Sequence, residues 1–395
     1  MQRPRFLKDI GRNVVFMGVV SGLTDVSSEM IYPVLPLFLT GVLHAPMTAV
    51  GLIEGLAEAT ASLLKAAGGW WSDRARRRKP FVLWGYSLSA LSKPLLALAG
   101  VWPFVLGCRV LDRLGKGLRT SARDALLTAS AEPAHWGKAF GFHRALDTAG
   151  AVVGPLVTVA LMSVWGLGYR SIFLIAAIPA VLGVLVLAAF VEERPAQPAP
   201  LGPAPAPAAP LSPEFKRLLL IYGIFALGNS SDAFLLLKAV QGGLSPSRMV
   251  LAYVLYNAVY ALTATPAGAL ADCIGRTRAV AVGLAVFAAT YLGFARATGP
   301  GWYWILFAVY GFYGALTEGS LKAAVAQCCG PENRATAMGV FQGVTGGLAL
   351  AASLVAGWLW THISPQAPFW LGAAGAAVAV PMLLISPGAR GEGAR

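Results

Sequence analysis

Apolar positions run along this chain in stretches of roughly twenty residues, separated by short clusters of Gly, Pro and charge. A helix rises 1.5 Å per residue, so about 20 apolar residues cross the hydrocarbon core of a bilayer. Twelve stretches have about that length: 13–41, 47–70, 80–99, 103–126, 138–164, 171–191, 216–240, 247–271, 279–297, 303–327, 335–361 and 367–386. They predict an all-α membrane protein with twelve transmembrane helices. Residues 192–212, EERPAQPAPLGPAPAPAAPLS, have no apolar period and are dense in Pro and Ala, which predicts an extended linker. The chain then reads as an N-terminal six-helix bundle (1–191), a linker (192–215) and a C-terminal six-helix bundle (216–395).

Composition agrees with a lipid-facing surface. Charged residues make up 12% of the chain, against about 25% in soluble domains. Mean hydropathy is +0.64. The net charge of +13 raises the question of a nucleic-acid partner. Its distribution argues for none, because the cations sit in short segments between apolar runs: Arg3, Arg5, Lys8 and Arg12, then Arg74 and Arg76 to Lys79, then Arg276 and Arg278. The intervening turns GVLHAP (41–46) and HISPQAP (362–368) contain no Lys or Arg. The positive-inside bias therefore puts both termini on the cytoplasmic side of the cytoplasmic membrane. The first apolar run soon meets Asp25 and Glu29 without a small-x-small site, so no signal cleavage is expected. Cys108, Cys273, Cys328 and Cys329 have no metal-ligand spacing, and neither a metal nor a cofactor is expected. Without G-x-S-x-G or H-E-x-x-H, the chain does not read as an enzyme.

One stretch breaks the pattern. RVLDRLGKGLRTSARDAL (109–126) carries seven charged residues in eighteen positions. The apolar residues before Asp112 are too few to cross a bilayer. Ending the span there would put Arg113, Lys116, Arg119 and Arg123 outside, against the bias elsewhere. The stretch is therefore the fourth membrane helix. A P-loop is excluded, since Val110 and Gly117 stand where Gly and Ser or Thr are required.

Ionisable groups inside a bilayer cost at least ~2.5 kcal/mol and so pair or face a wet cavity. Glu54 and Glu58 lie one turn apart, as do Arg109 and Arg113. Counting residues inward puts the first member of each pair at roughly 10 Å and the second at roughly 15 Å from the outer face. Glu54–Arg109 and Glu58–Arg113 are thus expected as intramembrane ion pairs. Arg144 and Asp147 can pair locally, with His143 one turn before Asp147. Arg119, Arg123, Asp124, Lys65, Lys238 and Lys322 fall near helix ends, where snorkelling accounts for them. Asp25, Glu29, Asp232 and Glu318 sit among small residues (GLTDVSSE, GNSSDA, GALTEGS) that admit water or ligand.

The halves repeat. GWWSDRARRRK (69–79) is answered by GALADCIGRTR (268–278), and Ser27-Ser28-Glu29 by Ser230-Ser231-Asp232, some 200 positions on. GKAFGFHR (137–144) is answered by TAMGVFQ (336–342). Parallel six-helix repeats are the plan of one transporter class. On these residues the chain resembles a bacterial major facilitator superfamily permease along essentially its whole length. The loop signature is matched by Gly268, Asp272, Gly275 and Arg276, and by Gly69, Asp73 and Arg74 with Arg76 where Gly is usual. The fourth-helix signature keeps Arg109 and Gly115, and the fifth-helix motif appears as Gly150, Gly154 and Pro155.

The resemblance implies a secondary active transporter working by alternating access, with helices one, seven and ten lining its cavity. Its substrate and proton-coupling candidates are Asp25, Glu29, Asp112, Arg113, Arg144, Asp147, Asp232 and Glu318. Proton-coupled export of a small molecule is the first reading, with a monomer in the lipid bilayer as the working unit. Movement of a metal chelate or metabolite, or a non-transporting membrane sensor, are the alternatives.

Overall fold

The computed structural model describes residues 11–75, 77–132, 135–193, 211–329 and 334–385; of the helical residues 66–75, 334 and 335 only the backbone is described. Every regular element among the described residues is helical. In chain order these are α1 (Arg12–Ile31), α2 (Leu35–Leu37), a π turn (Phe38–Val42), α3 (Met47–Ala75), α4 (Lys79–Ala97), α5 (Trp102–Ala129), α6 (Trp136–Ser163) and α7 (Tyr169–Phe190). There follow α8 (Pro213–Ala226), α9 (Ala233–Gln241), α10 (Pro246–Ile274), α11 (Arg276–Arg296), α12 (Pro300–Gln327), α13 (Arg334–His362) and α14 (Ala367–Ile385). Two predicted spans are interrupted. The first bends where Pro33 and Pro36 cannot continue an α-helical ladder, and the chain passes through α2 and the π turn. The seventh divides into α8 and α9 around Gly228-Asn229-Ser230-Ser231-Asp232, a sequence of residues that compete for backbone hydrogen bonds.

Among the described residues, eight segments are long and apolar enough to cross a membrane. The charged fourth span is not among them, yet it forms one unbroken helix, α5. Its Asp112, Arg109 and Arg119 lie on the buried side, while Leu114 is exposed. One face of α5 thus carries charge into the protein.

Two compact units emerge, one formed by Met1–Phe38 and Thr60–Gly202, the other by Leu39–Ala59 and Pro203–Arg395. Helix α3 is thus divided between them. The same pairing scheme recurs in each. In the first unit α4 packs on α5, α4 on α7, and α1 on α6 and α7. In the second, α11 packs on α12, α11 on α14, and α8 on α13 and α14. These are the same positions in the two six-span series.

Close helix packing depends on small residues. A Cβ at Gly150 would come 2.8 Å from the Asp25 Cβ, and one at Gly154 would come 2.6 Å from the Val26 carbonyl oxygen. The fifth-helix motif therefore lets α6 lie directly on α1 beside Asp25 and Glu29. Thr158 adds a hydrogen bond from its hydroxyl to the Met30 carbonyl, 2.8 Å long. Gly85 and Gly115 do the same for α4 and α5, each backbone filling the space a Cβ would need in the other.

At one end of the first unit, Glu193 accepts hydrogen bonds from the backbone N–H groups of Arg78 (3.0 Å) and Lys79 (2.9 Å), capping α4 where its dipole favours an anion. Asn13 holds Ser130 and both backbone groups of Glu192. The start of the linker is thereby tied to α1, α4 and α5. In the second unit Ser212 caps α8 through Phe215 N–H and donates to the Cys328 carbonyl.

Candidate functional site

Three polar constellations stand inside the helical units. The first surrounds Asp112 on α5. Its Oδ1 accepts from Lys93 Nζ at 2.9 Å and from the Ser89 hydroxyl, both on α4. Its Oδ2 lies 3.9 Å from Arg109 and 3.8 Å from Arg113. Lys93 reaches on to Ser28 on α1, 3.2 Å away. Lys93, Arg109 and Asp112 are all nearly inaccessible to solvent. The Gly85–Gly115 crossing brings these side chains together, because it lets the α4 and α5 backbones touch one to two turns away.

The second constellation lies on α1, α5 and α6. Asp25 and Asp147 are close enough for their charges to interact across the glycine seam, with Lys116, Arg119 and Arg123 also acting on Asp25. Asp147 Oδ2 lies 3.4 Å from His143 Nδ1, one turn earlier on α6. Asp147 Oδ1 and His143 Nε2 are buried without a hydrogen-bond partner. Arg123 binds Asp124 at 2.8 Å and reaches Ser21 on α1 at 3.4 Å. Arg144, expected beside Asp147, has an exposed side chain. Glu29 is half-buried where Gly154 crosses α1.

The third is in the second unit, at the gap between α8 and α9. Asp232 Oδ1 accepts from the Tyr310 hydroxyl at 2.7 Å. Tyr310 stands among Tyr256 (ring centroids 5.2 Å apart), Tyr313 (5.2 Å), Phe287 (6.3 Å) and Tyr291 (6.4 Å). Farther along α12, Glu318 accepts from the Tyr260 hydroxyl and pairs with Lys322 at 2.9 Å.

Several expectations fare differently in detail. Arg119 does not snorkel; it is 6% exposed and stacks 4.3 Å over the Tyr86 ring. The cause is again the α4–α5 crossing, which slides Tyr86 under the guanidinium. Lys238 is buried in the last turn of α9, where a cation complements the helix C-terminus. Lys93, Ser89 and the tyrosines were not expected at a site. Regular spacing on two helices (Tyr253, Tyr256 and Tyr260; Tyr310 and Tyr313) was the signal available for the tyrosines.

Both loop-signature copies occupy equivalent places in chain order. Gly69, Asp73 and Arg74 lie in the last turns of α3, where only the backbone is described. Gly268 and Asp272 lie in the last turns of α10, and Asp272 lies 3.7 Å from Arg276. Gly275 between the helices has φ of +95°, a conformation in which a Cβ is strained. Among the described residues no cluster of His, Cys, Asp or Glu could hold a metal ion.

A bundle of long apolar helices, built twice on one pairing scheme and enclosing charged and aromatic clusters, defines the class of multi-pass membrane transporters. Comparison with known proteins assigns it further. The family model of the Major Facilitator Superfamily matches residues 17–242 and 218–394. An uncharacterised MFS-type transporter of Methanocaldococcus jannaschii is 37% identical over 383 residues, 95% of each chain. An uncharacterised protein of Mycobacterium tuberculosis is 30% identical over 363 residues, 88% of this chain and 87% of the relative. The chain belongs to the Major Facilitator Superfamily.

Solved structures agree in fold. A peptide transporter, POT, superposes with a TM-score of 0.81 at 15% identity, covering 98% of this chain and 96% of that one. The nucleoside transporter NupG gives 0.74 at 14% identity, covering 94% and 98%. The human organic anion transporter MFSD10 gives 0.67 at 18%, covering 96% and 100%.

Proposed function

We propose that this protein is a proton-coupled exporter of a small molecule, working by alternating access in the cytoplasmic membrane with both termini cytoplasmic. The observation that carries this reading is the Asp25–Asp147–His143 group. Two carboxylates act on each other's charge where α1 and α6 pack with no room for a side chain at Gly150, and an imidazole lies 3.4 Å from one of them. Carboxylates inside a membrane protein serve as proton carriers, and a nearby cation opposes the protonated form. Arg123 and Lys116 supply that opposing charge. A rearrangement that changes their distance from Asp25 would load and unload the proton.

Asp112, Arg113, Glu29 and Arg144 belong to the coupling set in this proposal, with Glu318 and Asp232 on the substrate side. One carboxylate, Asp112, stands among three cations. Glu54 and Glu58 are the candidates to balance Arg109 and Arg113.

The test uses purified protein in liposomes loaded with a pH-sensitive dye. Compounds that stabilise the protein thermally are added, and substrate-driven proton movement is read from the dye. Wild type moves protons with substrate, while Asp25→Asn and Asp147→Asn each abolish that movement and retain substrate counterflow. Proton movement intact in the Asp25→Asn/Asp147→Asn double variant would refute the assignment. Failure to move any compound that binds would favour a sensor.

A further inference from the structure

We propose that the gap between α8 and α9 binds an organic cation, an ammonium-type group on an apolar body, with Asp232 as counter-ion and tyrosine rings as walls. This rests on the reading of the chain as a transporter and names the chemistry of its substrate.

Irregular backbone at the depth of a membrane span is tolerated where it is buried in protein or lines a cavity. Discontinuous helices of transporters mark binding sites for that reason. Here the break falls at mid-span, between a 14-residue helix and a 9-residue one. It is held open by structure rather than by sequence alone. Gly228 lies against Gly372 of α14, where a Cβ would come 2.8 Å from the Gly372 Cα, and Ser231 N–H donates to Ser353 on α13.

The charge at the break itself is the Asp232 carboxylate. Among the described residues Asp232 forms no ion pair, and its side chain is half-buried. The charged groups that act on it are two further carboxylates, Glu54 and Glu58 of the same unit. At the N-cap of α9 the helix dipole offsets part of the Asp232 charge, and a bound cation can supply the rest. The hydroxyls of Tyr291, Ser230 and Tyr310 interact beside Asp232, so the wall of the break is polar where the carboxylate stands.

The surrounding rings select the cation. Tyr310 holds the carboxylate, and Tyr256 and Tyr313 flank Tyr310, with Tyr256 only half-buried and so able to present a face. Aromatic faces attract cations, and clustered rings recognise quaternary ammonium groups, which need no hydrogen bonds. An anion would meet the Asp232 carboxylate and the negative faces of the rings.

Equilibrium binding to the full-length protein in lipid nanodiscs tests this without a gradient. The probes are benzyltrimethylammonium, tetraethylammonium and tetraphenylphosphonium, with benzyl alcohol and benzoate as neutral and anionic comparisons. At least one cation should bind saturably, and benzyl alcohol and benzoate at least about ten-fold more weakly than benzyltrimethylammonium or its tighter-binding congener. Asp232→Asn should weaken that cation about ten-fold or more, with Asp232→Glu retaining most of the affinity. Tyr256→Leu should lose several-fold, and Tyr256→Phe, which keeps the ring face, little. Thermal unfolding of each variant confirms that it is folded. Three cations without saturable binding, equal binding of benzyl alcohol, tighter binding of benzoate, or an unchanged Asp232→Asn affinity would each overturn the proposal. Because no proton or substrate movement is read, loss of proton coupling in the liposome assay leaves this result standing. Absence of cation binding likewise leaves the coupling assignment standing.

Discussion

Asp112 and Asp232 are both carboxylates on membrane helices, and their surroundings are opposite. Asp112 is enclosed by Lys93, Arg109 and Arg113 and receives the Ser89 hydroxyl. Asp232 receives one phenol, stands at a helix break and faces aromatic rings and other carboxylates. The first belongs to a charge network that joins α4 to α5. The second has lodging for a charge that the chain does not provide. Whether a carboxylate inside a membrane protein is open to an outside cation therefore depends on whether its counter-ions come from its own chain.

The largest expected effect follows from this contrast. Asp112→Asn strands three cations and should cost about 3–5 kcal/mol, the usual penalty for removing one partner of a buried ionic group. Folded yield in size-exclusion chromatography should collapse, and adding Lys93→Met should recover part of it. Equal yields for Asp112→Asn and wild type would erase the distinction.

Next comes the helix seam. Gly154→Val should destabilise by about 1–3 kcal/mol or more, because the backbone of α1 occupies the space the side chain needs. Gly347 on α13 of the second unit has open space around its Cβ direction, so Gly347→Ala should be nearly neutral in thermal unfolding. Comparable losses at both glycines would show that the two units are packed alike.

The smallest effect is at Asp232 itself, where Asp232→Asn should change the unfolding temperature little, since no cation is stranded and Asn can still accept from Tyr310.

Much of this was legible beforehand in particular residues. The 109–126 stretch had to be a helix because a break before Asp112 violated both span length and charge bias, and α5 runs through it without interruption. Gly150 and Gly154 could be read as a packing motif, though not as the contact beside Asp25. Arg119 was misjudged because distance along a span suggests a water-reaching side chain, whereas its direction depends on Tyr86, 33 positions earlier. The division of the seventh span was not legible either. GNSSD lowers the cost of leaving the helix without requiring it.

By itself the sequence determined where the chain is apolar, which sides its loops prefer, that it repeats, and which residues carry charge into the membrane. Those properties depend on transfer energies and spacing along one dimension. Tertiary structure alone decided that Asp112 has three cations and Asp232 a tyrosine, and that Gly228 opens the seventh span against α14. Charge interactions and packing act over a few ångströms between residues tens of positions apart, and no local pattern encodes which of them meet.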